Sequence, residues 1–131
     1  MNDLNWWAII VAAAGSFALG GPWYSKALFG DVWNREANNP CPPGSGHPVK
    51  VFGLSFLFSL IAAAAFAYWL GPNPPLGYAL CRGLLAGACF VAASFGINYQ
   101  FANRSFLMWL IDGGYHTVQF LLFGLVLGLW H

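Results

Sequence analysis

Charge is what this chain has least of. Its 131 residues include five Lys or Arg and four Asp or Glu, 7% in all, where a soluble domain carries about 25%. So few charges do not cover a water-facing surface. The formal net charge of +1 leaves no basic field to attract nucleic acid. Cysteine is scarce too: Cys41, Cys81 and Cys89 form no C-x-x-C pair and no metal-ligand spacing. On one helix Cys81 and Cys89 stand about 12 Å apart, too far for a disulfide, and read as small apolar packing residues. The sequence also lacks a Ser/His/Asp elbow, a phosphate loop and an H-E-x-x-H helix, so it is not expected to be an enzyme. A bis-histidine haem needs two histidines inside apolar runs. Only His116 qualifies, since His47 is in a loop and His131 at the terminus. No cofactor is expected, and a single pigment or metal on His116 is the one route left to it.

In place of charge there is oil: 59% of the residues are hydrophobic. A bilayer core of about 30 Å is crossed by about 20 apolar residues in a helix. Four runs are long enough, at about 4–20, 49–71, 76–96 and 106–130. Backbone left open in hydrocarbon strands its N–H and C=O groups, so each run is expected to be a helix, and none alternates as a barrel strand does. The leader "MNDLN" has no Lys or Arg and carries Asp3, which predicts a retained span rather than a cleaved signal peptide. The expected fold is all-α: one polytopic membrane domain over 1–131, an integral membrane four-helix bundle with the lipid bilayer as its solvent.

Aromatic residues mark the ends of the runs. Trp6 and Trp7 open the first, Trp23 and Tyr24 follow it, Tyr68 and Trp69 end the second, and Tyr78 opens the third. Tyr99 follows the third and Trp130 closes the fourth, while Trp109 and Tyr115 are placed to fill a core. Such rings suit an interfacial belt. Lys26, Arg35, Lys50 and Arg104 fall in or beside the first and third loops; the termini and the "PNPP" link have no Lys or Arg. The positive-inside rule then puts those loops in the cytoplasm of a bacterial inner membrane, with both termini outside. "GPWYSKALFGDVWNRE" (21–36) places Pro22 at a helix start and Tyr24, Leu28 and Val32 along one face, which predicts a short interfacial helix over 22–36. The Gly20-Gly21-Pro22 run is expected to keep it separate from the first span. "NNPCPPGSGHP" reads as Pro/Gly coil.

Helices in lipid associate through close packing and small residues. The third span carries Gly83 and Gly87 with Ala86, Cys89, Ala92, Ala93 and Ser94. Small nearly all round, it is expected at the centre of the bundle. The second span offers Ser55, Ser59 and Ala62. On the fourth, Asp112, His116, Gln119 and Phe123 share one stripe. Gly113, Thr117, Gly124 and Gly128 share another, roughly 100–160° away. Two separate faces predict that one meets the bundle and the other a second protein or protomer.

An intramembrane carboxylate costs about 2.5–3.5 kcal/mol on insertion scales. Asp112 is about 9 Å inside the fourth run, with His116 and Gln119 deeper. Arg82 lies about 9 Å inside the third run from the other face, so an ion pair with Asp112 is not expected. One reading makes Asp112 and His116 an ion or proton path, completed by Gln119 and Asn98 or Asn103. The other makes them hydrogen-bonding links that fix helix register, with Arg82 snorkelling to the headgroups. The first predicts a small channel or transporter; the second predicts a packing or accessory subunit, or a homo-oligomer, acting through helix association.

Two stretches carry a likeness. "GPWYSKALFGDVW" (21–33) and "NRSFLMWLIDGGYHTVQFLLFGLVLGLW" (103–130) resemble a family of small bacterial four-transmembrane-helix proteins, a domain of unknown function, DUF1761. Trp23, Tyr24, Ser25, Phe29, Gly30 and Trp33 fit its first motif, G-x-W-Y-S-x-x-x-F-G-x-x-W. Gly114, Tyr115 and His116 fit its second. The resemblance covers nearly the whole chain and implies four spans in one domain; it supplies no activity. The sidedness has a direct check: Cys41 should resist an impermeant thiol reagent added from outside intact cells, and rapid labelling would reverse the orientation.

Overall fold

The computed structural model describes residues 4–25, 27–37 and 48–130. Lys26, Cys41, His47, His131, Asp3 and the coil "NNPCPPGSGHP" up to His47 lie outside the described residues. The fold is an all-α bundle of five helices: α1 (Trp6–Trp23), α2 (Gly30–Ala37), α3 (Pro48–Leu70), α4 (Leu76–Phe101) and α5 (Phe106–Leu129). All but α2 are long and apolar enough to cross a membrane, which marks the chain as a multi-pass membrane protein.

Local chemistry sets the ends. Asn5 caps α1 by accepting from the Ala8 N–H at 3.1 Å, and Ser105 caps α5 by accepting from the Met108 N–H at 3.0 Å, each filling an orphan donor of a first turn. Gly71, at φ +82°, closes α3, with its N–H on the Ala67 carbonyl at 3.2 Å. The left-handed conformation there suits glycine. In α2, Asp31 lies in the first turn and Arg35 in the last, the order that the helix dipole favours.

The expected end of the first span at Gly20 is corrected. Gly20, Gly21 and Pro22 all belong to α1, which runs on to Trp23. Proline removes only its own N–H, and in the last turn the neighbouring bonds survive: the Tyr24 N–H reaches the Gly20 carbonyl at 3.1 Å. The interfacial segment is likewise not one helix from Pro22. Tyr24 and 27–29 form turns, and the helix begins only at Gly30. The third span continues past Gly96 to Phe101.

The centre of the bundle is α5 rather than the third span, because α5 packs against every other helix. The small residues of α4 are divided between two faces, with Cys89, Ala93 and Ser94 exposed. Ala79, Gly83, Ala86, Gly87 and Ala92 are buried, while Leu84, Leu85, Phe90 and Ile97 are exposed on its outer side. A Cβ on Gly83 would stand 2.4 Å from the Phe120 carbonyl oxygen, one on Gly87 2.6 Å from the Thr117 Cα, and one on Gly124 2.4 Å from the Ala79 oxygen. Gly113 lies over Ala92, and Gly128 over Leu76 and Ala79. The small stripe of α5 is thus filled by α4 of the same chain, and the case for a second protein on that face is withdrawn.

The contact stripe of α4 has a step in it. Residues 79, 83 and 87 follow at helical intervals, and then the contact moves five residues to Ala92. That step is a π-helical stretch, Leu85–Ala92, whose wider turn accommodates the extra residue. Trp109 holds its lower end: the indole Nε1–H donates to the Ala92 carbonyl at 2.7 Å, in the space that Gly96 leaves. Beyond the step, Gly96 and then Tyr99 come round to α5.

α1 and α3 meet through Ala8, Ala12, Ala63 and Ala67 around Ile9, Phe66 and Phe123, with a buried Ser16 Oγ–H donating to Ser59 Oγ at 3.1 Å. Ser55 is exposed and Ala62 half-buried. Replacing Gly83 by Leu must push α4 from α5, at a cost of about 1–3 kcal/mol, whereas Gly53→Ala enters open space and should be neutral. Thermal unfolding in mild detergent reads both; equal midpoints would contradict this packing.

Candidate functional site

The segment after α1 is a tight knot that turns the chain back over the end of the bundle. Ser25 Oγ donates to the Pro22 carbonyl at 2.8 Å and accepts from the Ala27 N–H at 3.2 Å. The Phe29 N–H returns to the Trp23 carbonyl at 3.1 Å, with the two rings 5.1 Å apart. The Gly30 N–H bonds the Ser25 carbonyl at 2.9 Å. A Cβ on Gly30 would sit 2.4 Å from the Tyr24 oxygen, so only glycine fits. These contacts give W-Y-S-x-x-x-F-G-x-x-W its physical sense: Ser25, Phe29 and Gly30 make the turn, and the turn aims Trp23, Tyr24 and Trp33 inward at α5.

Their target is Asp112, 7% exposed. Tyr24 OH donates to Oδ1 at 2.5 Å. Trp33 Nε1–H lies 3.1 Å from Oδ1 and 3.2 Å from Oδ2. Tyr99 OH donates to Oδ2 from the last turn of α4. Trp23 Nε1–H takes the neighbouring Ile111 carbonyl at 3.0 Å. Burial first, and then the Asp112 charge, push the Tyr24 phenol well above its ordinary pKa, which keeps its proton in place as a donor. Hydrogen bonds to a charged group contribute about 1.5–3 kcal/mol each. Three of them offset the insertion cost of a lone carboxylate. On the outer edge, a hydrogen bond from Ser105 and then the Arg35 guanidinium hold the Glu36 carboxyl below the usual carboxylate range, tying α2 to the start of α5.

Deeper along α5 the polar row continues for two turns and stops. Tyr115 OH donates to the Ser16 carbonyl at 2.9 Å. His116 Nδ1 and Gln119 Oε1 are 2.7 Å apart; an amide oxygen only accepts, so Nδ1 carries the proton. Phe95 stacks on the imidazole, centroids 5.1 Å apart and 15° from parallel. Beyond Gln119 comes Phe123, 0% exposed, ringed by Phe66 and Phe120.

The structure therefore brings Asp112 together with Tyr24 and Trp33, and separately pairs His116 with Gln119. Arg82 is at the other end of the bundle, its guanidinium carbon 4.4 Å from the Trp69 ring centroid and 4.9 Å from that of Tyr78. Asn98 and Asn103 are exposed and take no part in the row. Tyr99 was read only as a belt residue. Its role depends on the π stretch, and only a helix wheel with one residue inserted would have found it. Among the described residues, no three His, Cys, Asp or Glu side chains gather as for a metal ion.

Tyr24→Phe and Trp33→Phe each remove a donor to the carboxylate and should lower stability by about 1.5–3 kcal/mol. Amide exchange across α2 should accelerate in both. Asp112→Leu should be worse than Asp112→Asn, which keeps one acceptor oxygen. Unchanged α2 exchange in all four variants would dissolve the latch.

No curated protein and no solved structure matches the chain. A family model does, over residues 7–128, under the description protein of unknown function (DUF1761). That span takes in the inward-turned aromatic knot, the carboxylate that it grips and all four apolar helices, and the chain belongs to the DUF1761 family.

Proposed function

We propose that the protein is a non-enzymatic membrane assembly protein that works by pairing with a second copy of itself through the outer face of α4. One observation carries the reading. Where the π stretch passes back into α-helix, Phe90, Val91, Ser94, Phe95 and Asn98 line a shallow open groove on the outside of the bundle. Ser94 and Asn98, one turn apart, stand exposed there. Hydrogen-bonding side chains on a lipid-facing helix gain by bonding across to another helix. An asparagine amide both donates and accepts, so the same face on a two-fold-related copy satisfies it. π segments are often found at functional sites.

Conduction along Asp112, His116 and Gln119 is less well supported. Asp112 is engaged by three donors, and the Phe66, Phe120 and Phe123 rings lie across the path. The site as proposed holds no cofactor. A bacterial inner membrane is proposed, with the end bearing Arg35 and Arg104 in the cytoplasm, on the positive-inside argument.

The test is cross-linking in native membranes, in a background without Cys41, Cys81 and Cys89. Ser94→Cys should give a disulfide-linked dimer, weakened by Asn98→Leu. Val118→Cys, exposed on α5, should not. A Ser94→Cys protein that stays monomeric, or links to an unrelated subunit, defeats the self-pairing. A pH-dependent proteoliposome flux that Asp112→Asn abolishes would favour conduction instead.

A further inference from the structure

We infer that the protein holds an anionic phospholipid in the crevice between α3 and α4, with the lipid phosphate on Arg82. The residues of this site lie at the opposite end of the bundle from Asp112, and the inference is independent of how the chain associates.

Consecutive antiparallel helices joined by a short link ordinarily pack together. α3 and α4 are joined through 71–75, yet they make almost no close approach; each is packed on other helices, α3 on α1 and α4 on α5. What lies between them is side chains. Trp69 from α3 reaches Phe90 of α4, centroids 6.0 Å apart, and both Trp69 and Tyr78 lie against the Arg82 guanidinium. Trp69, Tyr78 and Phe90 remain exposed on the membrane side, and Arg82 is half-exposed. The gap is thus bridged by aromatic side chains whose outer surface faces the membrane, with one cation near its end.

Charge complementarity names the occupant. Every described acidic residue, Asp31, Glu36 and Asp112, belongs to the other end of the bundle, so the cation against the Trp69 and Tyr78 rings has no described carboxylate beside it. Ring contacts engage the guanidinium through its carbon, and its planar N–H fork matches phosphate oxygens in pairs. Depth agrees. Arg82 lies about 9 Å along α4 from Leu76, and its Cα–Cβ bond leans toward the helix N-terminus, which lifts the head to the headgroup level. An acyl chain then runs down the crevice past Trp69 and Phe90. A lipid supplies both the anion and the chain; inorganic phosphate supplies only the first.

The experiment is native mass spectrometry of detergent-solubilised full-length protein titrated with phosphatidylglycerol, phosphatidylcholine or inorganic phosphate. One phosphatidylglycerol should be retained per chain, in preference to phosphatidylcholine, and inorganic phosphate should not displace it. Arg82→Gln should weaken retention by about tenfold, the loss of a charge-assisted hydrogen bond. Arg82→Lys keeps the charge and the helix without the planar fork. It should retain less than the parent, and it decides the matter if Arg82→Gln does not insert. Equal retention of the two lipids, unchanged retention in both Arg82 variants, or displacement by inorganic phosphate would each overturn the site.

Discussion

A single buried carboxylate organises this protein. Asp112 sits in a segment that otherwise has the composition of hydrocarbon, and a charge there is tolerated only when donors surround it. The donors described around it are not cations. They come from three neutral side chains on three separate segments: the turn after α1, the short α2 and the last turn of α4. Each of these pieces has an otherwise odd feature, and each feature has the same explanation. The glycine that permits the knot brings Tyr24 and Trp33 inward, and the widened stretch of α4 brings Tyr99 round. Neutral donors suit the place better than a lysine would, because they satisfy the carboxylate without importing a second charge into lipid.

The inner face of α5 is polar and aromatic over its first half and apolar over its second. From Asp112 to Gln119, side chains along α5 hydrogen-bond across the bundle or to each other; from Phe123 to Leu127 they pack against Phe66, Ala67 and Leu70. Alanine does most of the work between α1 and α3, and glycine between α4 and α5. Close backbone approach replaces the hydrophobic effect, which has no purchase between helices already in oil. The polar end is thereby a closed anchorage, held from both sides.

The spans were legible because length and hydropathy suffice to find them, and the fourth span's polar stripe was legible because its period is that of an ordinary helix. Three things were not. Pro22 and its glycines read as a break, although a proline near the end of a helix forfeits only one bond. Trp23 and Tyr24 read as a belt, and Trp33 as part of an interfacial helix. The property that suits a ring to the headgroup region, an apolar body with one polar tip, suits it equally to a buried carboxylate. The third span reads as the centre because it is small nearly all round. Only Ala79, Gly83, Ala86, Gly87 and Ala92 turn inward, brought into one contact stripe by the step at Leu85–Ala92, while Cys89, Ala93 and Ser94 stay exposed. For the aromatic residues and for the third span, the tertiary partner was out of sight.

The separation of those partners along the chain has a temporal meaning. Tyr24 and Trp33 precede Asp112 by 88 and 79 positions, so during synthesis the knot after the first span exists for most of the chain's emergence without the group it will hold. Only entry of the final span delivers the acceptor, and contacts of such long sequence separation close late. The latch therefore ties the first-made span to the last: without the fourth helix, Tyr24 and Trp33 have no Asp112 to donate to.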